Sequence, residues 1–75
     1  MSTPPSRADL IAAWLNRADQ ALASADLELR AGHLSFTVNR LYYACFYAVS
    51  GLLLTEGRQY ARHSAVVAEF NRSWV

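Results

Sequence analysis

Apolar positions recur along this chain with the period of an α-helix, and nowhere with the alternation of a half-buried strand. Ile11, Leu15, Ala18, Leu22, Ala25 and Leu29 follow one another at spacings of 4, 3, 4, 3 and 4, which is one seam on a long helix running to about Ala31. Asp9, Arg17, Asp19, Asp26 and Arg30 fall largely on the other faces. Ser6 and Asp9 are spaced as a capping box, Pro4 and Pro5 keep the preceding backbone extended, and Gly32 is the natural stop. After the short link His33-Leu34, Ser35 is the expected cap of a second helix over about residues 35–56. Val38, Tyr42, Cys45, Val49 and Leu52 form one stripe of it, and Leu41, Ala44, Ala48 and Leu53 widen that stripe until little is left for water. Gly51 leaves room for a close neighbour and Gly57 ends the element. A polar loop over 58–62 leads to a third helix from His63 or Ser64 onward, with Val66, Val67 and Phe70 apolar. The fold class is all-α, an antiparallel helical bundle with tight links.

Residues 1–5 read as a disordered leader and 6–75 as a single domain. A chain of 75 residues buries only about 60% of its unfolded surface. Yet 53% of its residues are apolar, more than a three-helix monomer hides comfortably, which points to oligomerisation or to a missing partner segment. The apolar pair Trp74-Val75 at the end suggests a longer natural domain or a second chain covering this end. Net charge is +1, so no global field draws in nucleic acid. All seven basic residues are arginine, which reads as the mark of a GC-rich genome rather than of selection for phosphate recognition.

Pro4-Pro5-Ser6-Arg7 interrupts any signal-peptide pattern, and the 14-residue apolar run Leu41–Leu54 is too short to span a bilayer. The expected compartment is cytoplasmic, with no membrane partner. The single Cys45 excludes a disulfide framework and reads as a small buried hydrophobe. No metal-ligand spacing, phosphate-cradling glycine loop, nucleophile elbow or carboxylate pair is present in the sequence, so no metal or cofactor is expected.

Candidate chemistry gathers at Asn39-Arg40. An arginine buried without a partner is costly, so polar groups carried to the edge of an apolar helix mark the first place to look for function. Tyr43 lies at i+3 from Arg40, and Tyr47 at i+7 lies within about 20° of it around the helix. Arg40, Tyr43 and Tyr47 thus form a polar-tipped ridge. One reading is a helix edge whose tyrosine hydroxyls reach water while their rings pack. The other is a surface that recognises phosphates and bases, the arginine holding an anion and the tyrosines offering stacking faces. Of the histidines, His33 reads as a solvated turn residue. His63 opens the third helix close to Arg58 and Arg62, where it either caps the helix or supplies acid–base chemistry near neutral pH.

The elements Leu22, Ala25, Leu29 and Gly32, then Asn39-Arg40, Tyr42-Tyr43-Ala44, Phe46 and Leu52-Leu53, then Gly57, His63-Ser64 and Phe70, resemble the HEPN superfamily, most closely its short stand-alone prokaryotic members. The Asn-Arg-x-Tyr-Tyr-Ala-x-Phe core carries most of the resemblance, which extends from about residue 8 to 75. It implies a bundle of four or five helices, usually dimeric. The last one or two are absent here or supplied by another chain. It also implies pairing with a minimal nucleotidyltransferase in toxin–antitoxin or defence modules. Active members are metal-independent endoribonucleases with an Arg-x4–6-His motif at the dimer interface, in which histidine relays the 2′-hydroxyl proton and arginine stabilises the attacked phosphate.

This chain departs from that pattern. The histidine common seven positions after the arginine is here Tyr47, and a phenol, titrating at about 10, does not relay protons near neutrality. An Arg58-x4-His63 match exists, but its arginine lies in the loop after Gly57 and the pair works only if that loop folds back. The resemblance therefore implies Arg40 and His63 as catalytic candidates in a degenerate motif, and Asn39, Arg40, Tyr43, Tyr47, Arg58 and Arg62 as the RNA- or nucleotide-binding set. The alternative is a non-catalytic dimerisation or partner-binding module. There the ridge, with Val49, Leu52 and Leu53, is an interface and the arginine pairs with a carboxylate.

Overall fold

The computed structural model describes residues 3–57 and 63–74, the side chains of His63 and Ser64 excepted. They form three helices, α1 (Arg7–Arg30), α2 (Leu34–Thr55) and α3 (His63–Trp74). The start of α1 is the capping box read from sequence: the Asp9 amide donates to Ser6 Oγ at 3.1 Å and the Ser6 amide donates to Asp9 Oδ2 at 3.0 Å. The Ser6 amide, and after it the Ser6 hydroxyl, hold the Asp9 carboxyl below its ordinary range by hydrogen bonding to the carboxylate. At the other end Gly32 takes φ +80°, and the amides of Gly32 and His33 donate to the carbonyls of Leu29 and Glu28 at 3.0 and 2.9 Å. This closes a Schellman turn that only glycine adopts without strain.

The second helix begins one residue earlier than expected. His33, not Ser35, occupies the N-cap position, and it does so without a side-chain cap bond. Its carbonyl accepts from the Thr37 amide and hydroxyl, both at 2.9 Å, while its Nδ1 lies 2.9 Å from Glu28 Oε2. His33 is exposed, as a turn residue should be, and also ties the joint between the helices. Gly57, at φ +76°, terminates α2 as expected. The loop read over 58–62 lies outside the described residues.

The helices pack through small residues. Ala18, Ala21 and Ala25 of α1 and Ala44 and Gly51 of α2 are buried. A Cβ built on Gly51 would stand 3.3 Å from Trp14 Cβ, which shows how closely the backbones approach. This corrects the expected seam. Leu15, Leu22 and Leu29 are 48%, 49% and 54% exposed, and the contact face is turned from them by roughly 50° around α1, toward Trp14 and Ala21. Close approach selects alanine and glycine, and the heptad-spaced leucines are left on the flank.

Among the described residues, α3 packs on α2 alone, through Val66 and its neighbours. Its buried Glu69 is satisfied within the helix by Arg72 Nη1 at 2.6 Å and Ser73 Oγ at 3.1 Å. The result is three helices side by side. The extents are 42 × 36 × 16 Å, and a helix with its side chains is about 10–12 Å across, so the assembly is one layer thick. The radius of gyration is 14.0 Å, against about 11 Å for a compact domain of this length. This openness explains two further corrections. The second helix is not almost fully covered, since Leu34, Phe36, Val38 and Leu41 are exposed, and Cys45 is exposed rather than a core residue.

The two faces of the layer differ. One carries Leu15, Leu22, Leu34, Leu41 and an apolar groove of about 290 Å³ lined by Ile11, Leu15, Ala48, Gly51, Leu52 and Thr55. The other carries the Arg40 ridge.

Candidate functional site

The ridge forms as its spacing predicts. Arg40, Tyr43 and Tyr47 are half-buried along one side of α2 and Asn39 is exposed beside them. Arg40 is fixed from two directions. Its Nε and Nη2 donate to Asn39 Oδ1 at 3.1 and 2.6 Å, and its Cζ stands 5.1 Å from the centroid of the Tyr43 ring. Asn39 therefore acts as a positioning residue for the guanidinium. Of the five N–H bonds a guanidinium carries, these two contacts leave a donor edge for a ligand.

The facing helix contributes residues that the sequence reading did not place here. Tyr47 lies 6.0 Å from Tyr43 and 5.8 Å from Trp14, centroid to centroid, and Arg17 Cζ stands 5.2 Å from the Trp14 ring. The order Arg40–Tyr43–Tyr47–Trp14–Arg17 is thus an aromatic arc with a cation over each end, a geometry that holds guanidinium groups at rings. Within the arc lies a cleft of about 290 Å³ lined by Arg17, Gln20, Ala21, Ser24, Arg40 and Tyr47.

The sequence pattern puts Arg17 on an outward face. The rotation of the α1 seam brings it to the cleft, together with Gln20 and Ser24. A sequence signal existed in Trp14, Arg17, Ala21 and Ser24, which fall on one side of a helix at i, i+3, i+7 and i+10, but the leucine repeat masked it.

The electrostatics favour an anion. No carboxylate lines the cleft, and among the described residues neither Arg17 nor Arg40 has a carboxylate within ion-pair distance. Asp26 is engaged by Arg30 at 3.1 Å and Glu28 by His33 at 2.9 Å. The cleft offers guanidinium, amide and hydroxyl donors beside one tyrosine wall, a donor set suited to phosphate oxygens. No group of three metal-ligating side chains exists among the described residues.

Tyr43 stands behind Arg40 and does not line the cleft. Arg58, Arg62 and the His63 side chain lie outside the described residues, so of the expected binding set only Asn39, Arg40, Tyr43 and Tyr47 are brought together here. No helix is long and apolar enough to cross a membrane among the described residues.

The HEPN domain family model matches residues 11–73. Among curated proteins, a UPF0332 protein of Thermotoga maritima is 47% identical over 66 residues, which is 88% of this chain and 50% of that protein. A second UPF0332 protein, from Pyrococcus horikoshii, is 37% identical over 76% of this chain and 40% of its own length. A protein of Methanocaldococcus jannaschii described as a "putative toxin" is 30% identical over 81% of this chain and 42% of its own length. The chain spans about half the length of the curated relatives it matches or less. No solved structure matches it.

Proposed function

The chain belongs to the HEPN domain family, and from that premise we propose that it is the RNA- or nucleotide-binding domain of a toxin–antitoxin or defence module. The observation that carries this reading is the state of Arg40. It is half-buried, oriented by Asn39, backed by Tyr43, without a carboxylate partner among the described residues, and on the wall of a cleft with Tyr47. A guanidinium held in this way is prepared for phosphate, and the neighbouring rings are prepared for bases or sugars. The relative described as a toxin supports the same setting.

In the catalytic form of this reading the chain is a metal-independent endoribonuclease. Arg40 stabilises charge developing on the attacked phosphate, and His63 supplies the proton relay that Tyr47 does not. The cellular setting we propose is the cytoplasm, with a minimal nucleotidyltransferase as partner protein and a second copy of the chain as dimer mate.

A specific observation also favours the interaction-module reading. Leu15, Leu22, Leu34, Val38 and Leu41 are exposed on one face of a one-layer fold, whereas domains ordinarily bury such faces against a second layer. In that form the interface is this leucine face rather than the arginine ridge, because Arg40 is oriented by the neutral Asn39 amide rather than paired with a carboxylate among the described residues. The two readings use opposite faces of the layer and are compatible.

The test is binding and cleavage of a mixed single-stranded RNA pool, without added metal, by the parent chain and by its Arg40→Ala and His63→Ala forms, each first shown to be helical by circular dichroism. The binding reading expects Arg40→Ala to weaken RNA binding while helicity is retained. Cleavage lost in both variants supports the nuclease. Binding without cleavage by a folded parent removes the nuclease and leaves the binding domain.

A further inference from the structure

Two arginines from different helices line one cleft, and among the described residues no carboxylate neutralises them. Two guanidinium groups lining one cleft make it a site for an anion rather than a cation. Each guanidinium is held from behind by a ring, Arg17 by Trp14 at 5.2 Å and Arg40 by Tyr43 at 5.1 Å. Neither therefore depends on a ligand for its position. The acidic residues of α1 lie elsewhere, since Asp19 is turned by about 200° from Arg17 around the helix and Asp26 is paired with Arg30. Gln20 and Ser24 add neutral hydrogen-bonding groups to the same wall.

We propose that Arg17 and Arg40 form a two-guanidinium clamp for a phosphate monoester, the terminal phosphate of a nucleotide or of a single RNA strand, with Tyr47 as the wall for the adjoining sugar and base. This rests on the RNA- or nucleotide-binding reading and narrows it to a chain end. Charge decides between a terminal and an internal phosphate. A monoester carries about two negative charges at neutral pH and three acceptor oxygens, while an internal diester carries one charge. Two uncompensated cations match the former. Size agrees, because a cleft of about 290 Å³ is at the small end of the roughly 300–1,000 Å³ range of small-molecule sites.

The experiment is calorimetric titration of the full chain with a short single-stranded RNA carrying a 5′-phosphate, a 3′-phosphate or neither. A parallel arm compares adenosine monophosphate with adenosine. Parent, Arg17→Ala and Arg17→Lys chains are used once circular dichroism shows equal helicity. A phosphorylated end is expected to bind the parent about tenfold tighter than the hydroxyl-ended strand, the effect of one or two charge-assisted hydrogen bonds. The preferred end identifies which terminus enters. Arg17→Ala should weaken binding of phosphorylated strands more than that of hydroxyl-ended RNA and so abolish the advantage, whereas Arg17→Lys, which keeps the charge without the fork, should retain part of it.

Equal affinity for phosphorylated and hydroxyl ends overturns the clamp while leaving RNA binding in place. So does a loss in Arg17→Ala that is the same for every strand. If the parent binds no RNA, the underlying reading fails, and the nucleotide arm still decides the clamp. Preference for adenosine monophosphate over adenosine, lost in Arg17→Ala, upholds it, and no preference overturns it.

Discussion

On one face of the helical layer, Arg17, Gln20, Arg40 and Tyr47 converge on a cleft whose side chains hold one another in place. On the other, Leu15, Leu22, Leu34 and Leu41 stand exposed beside an apolar groove. The cleft face holds itself together through short-range contacts: the Asn39 oxygen on Arg40, and rings at about 5–6 Å from one another and from both guanidinium carbons. The leucine face has the composition of an interior and the exposure of a surface. The proposed ligand recognition uses the first face, and the proposed assembly uses the second. Both depend on the Ala/Gly seam between α1 and α2 that separates them.

The largest effects are expected where the layer is held together. Leu53 is 1% exposed between α2 and its neighbours, so Leu53→Ala should cost about 2–5 kcal/mol, read as a fall in the urea midpoint with helicity measured by circular dichroism. A cost below about 0.5 kcal/mol would show that α3 is not docked on α2. Next is Gly51→Leu. With only 3.3 Å between its built Cβ and Trp14, the larger side chain must push α1 away, at about 1–3 kcal/mol. Because Trp14 also backs Arg17, this change on the apolar side should weaken RNA binding on the polar side, which fluorescence anisotropy would detect. Unchanged binding would separate the two faces.

Leu22→Gln should alter folding stability by less than about 0.5 kcal/mol while lowering self-association in sedimentation velocity, since the side chain is already exposed in the single chain. A large loss of stability would place Leu22 in a core.

The smallest effect is at the N-terminus of α1. Asp9 has its carboxyl pKa lowered by the Ser6 bonds, so its contribution is present above the ordinary carboxylate value of 3.8 and is lost as the pH falls further through the lowered value. Backbone NMR should show the first turn of α1 fraying only in that acid range, with the cleft face unchanged.

Much of this architecture was legible in the sequence. The three helices, the Ser6–Asp9 box, the stops at Gly32 and Gly57 and the Arg40–Tyr43–Tyr47 ridge all follow from local rules, because a cap, a positive φ or an i+7 spacing involves only neighbours along the chain. The orientation of α1 did not follow. Its leucines repeat more regularly than its alanines, and periodicity alone does not distinguish a seam of close approach from an exposed apolar flank. That one ambiguity of roughly 50° hid Trp14, Arg17 and Gln20 from the site and put Leu15 and Leu22 into a core they do not occupy. Cys45 was misplaced for a related reason. An apolar run reads as buried whether or not a second layer exists to cover it.

The central claim is that Arg40, held by Asn39 and Tyr43, is prepared for phosphate rather than for the fold. The most direct measurement is the affinity of the parent and Arg40→Ala chains for one single-stranded RNA, with thermal unfolding recorded on the same samples. The account predicts an affinity loss of about tenfold or more, since hydrogen bonds to charged groups contribute about 1.5–3 kcal/mol, with an unchanged melting curve. Unchanged affinity together with a destabilised helix would contradict it and make Arg40 a structural residue.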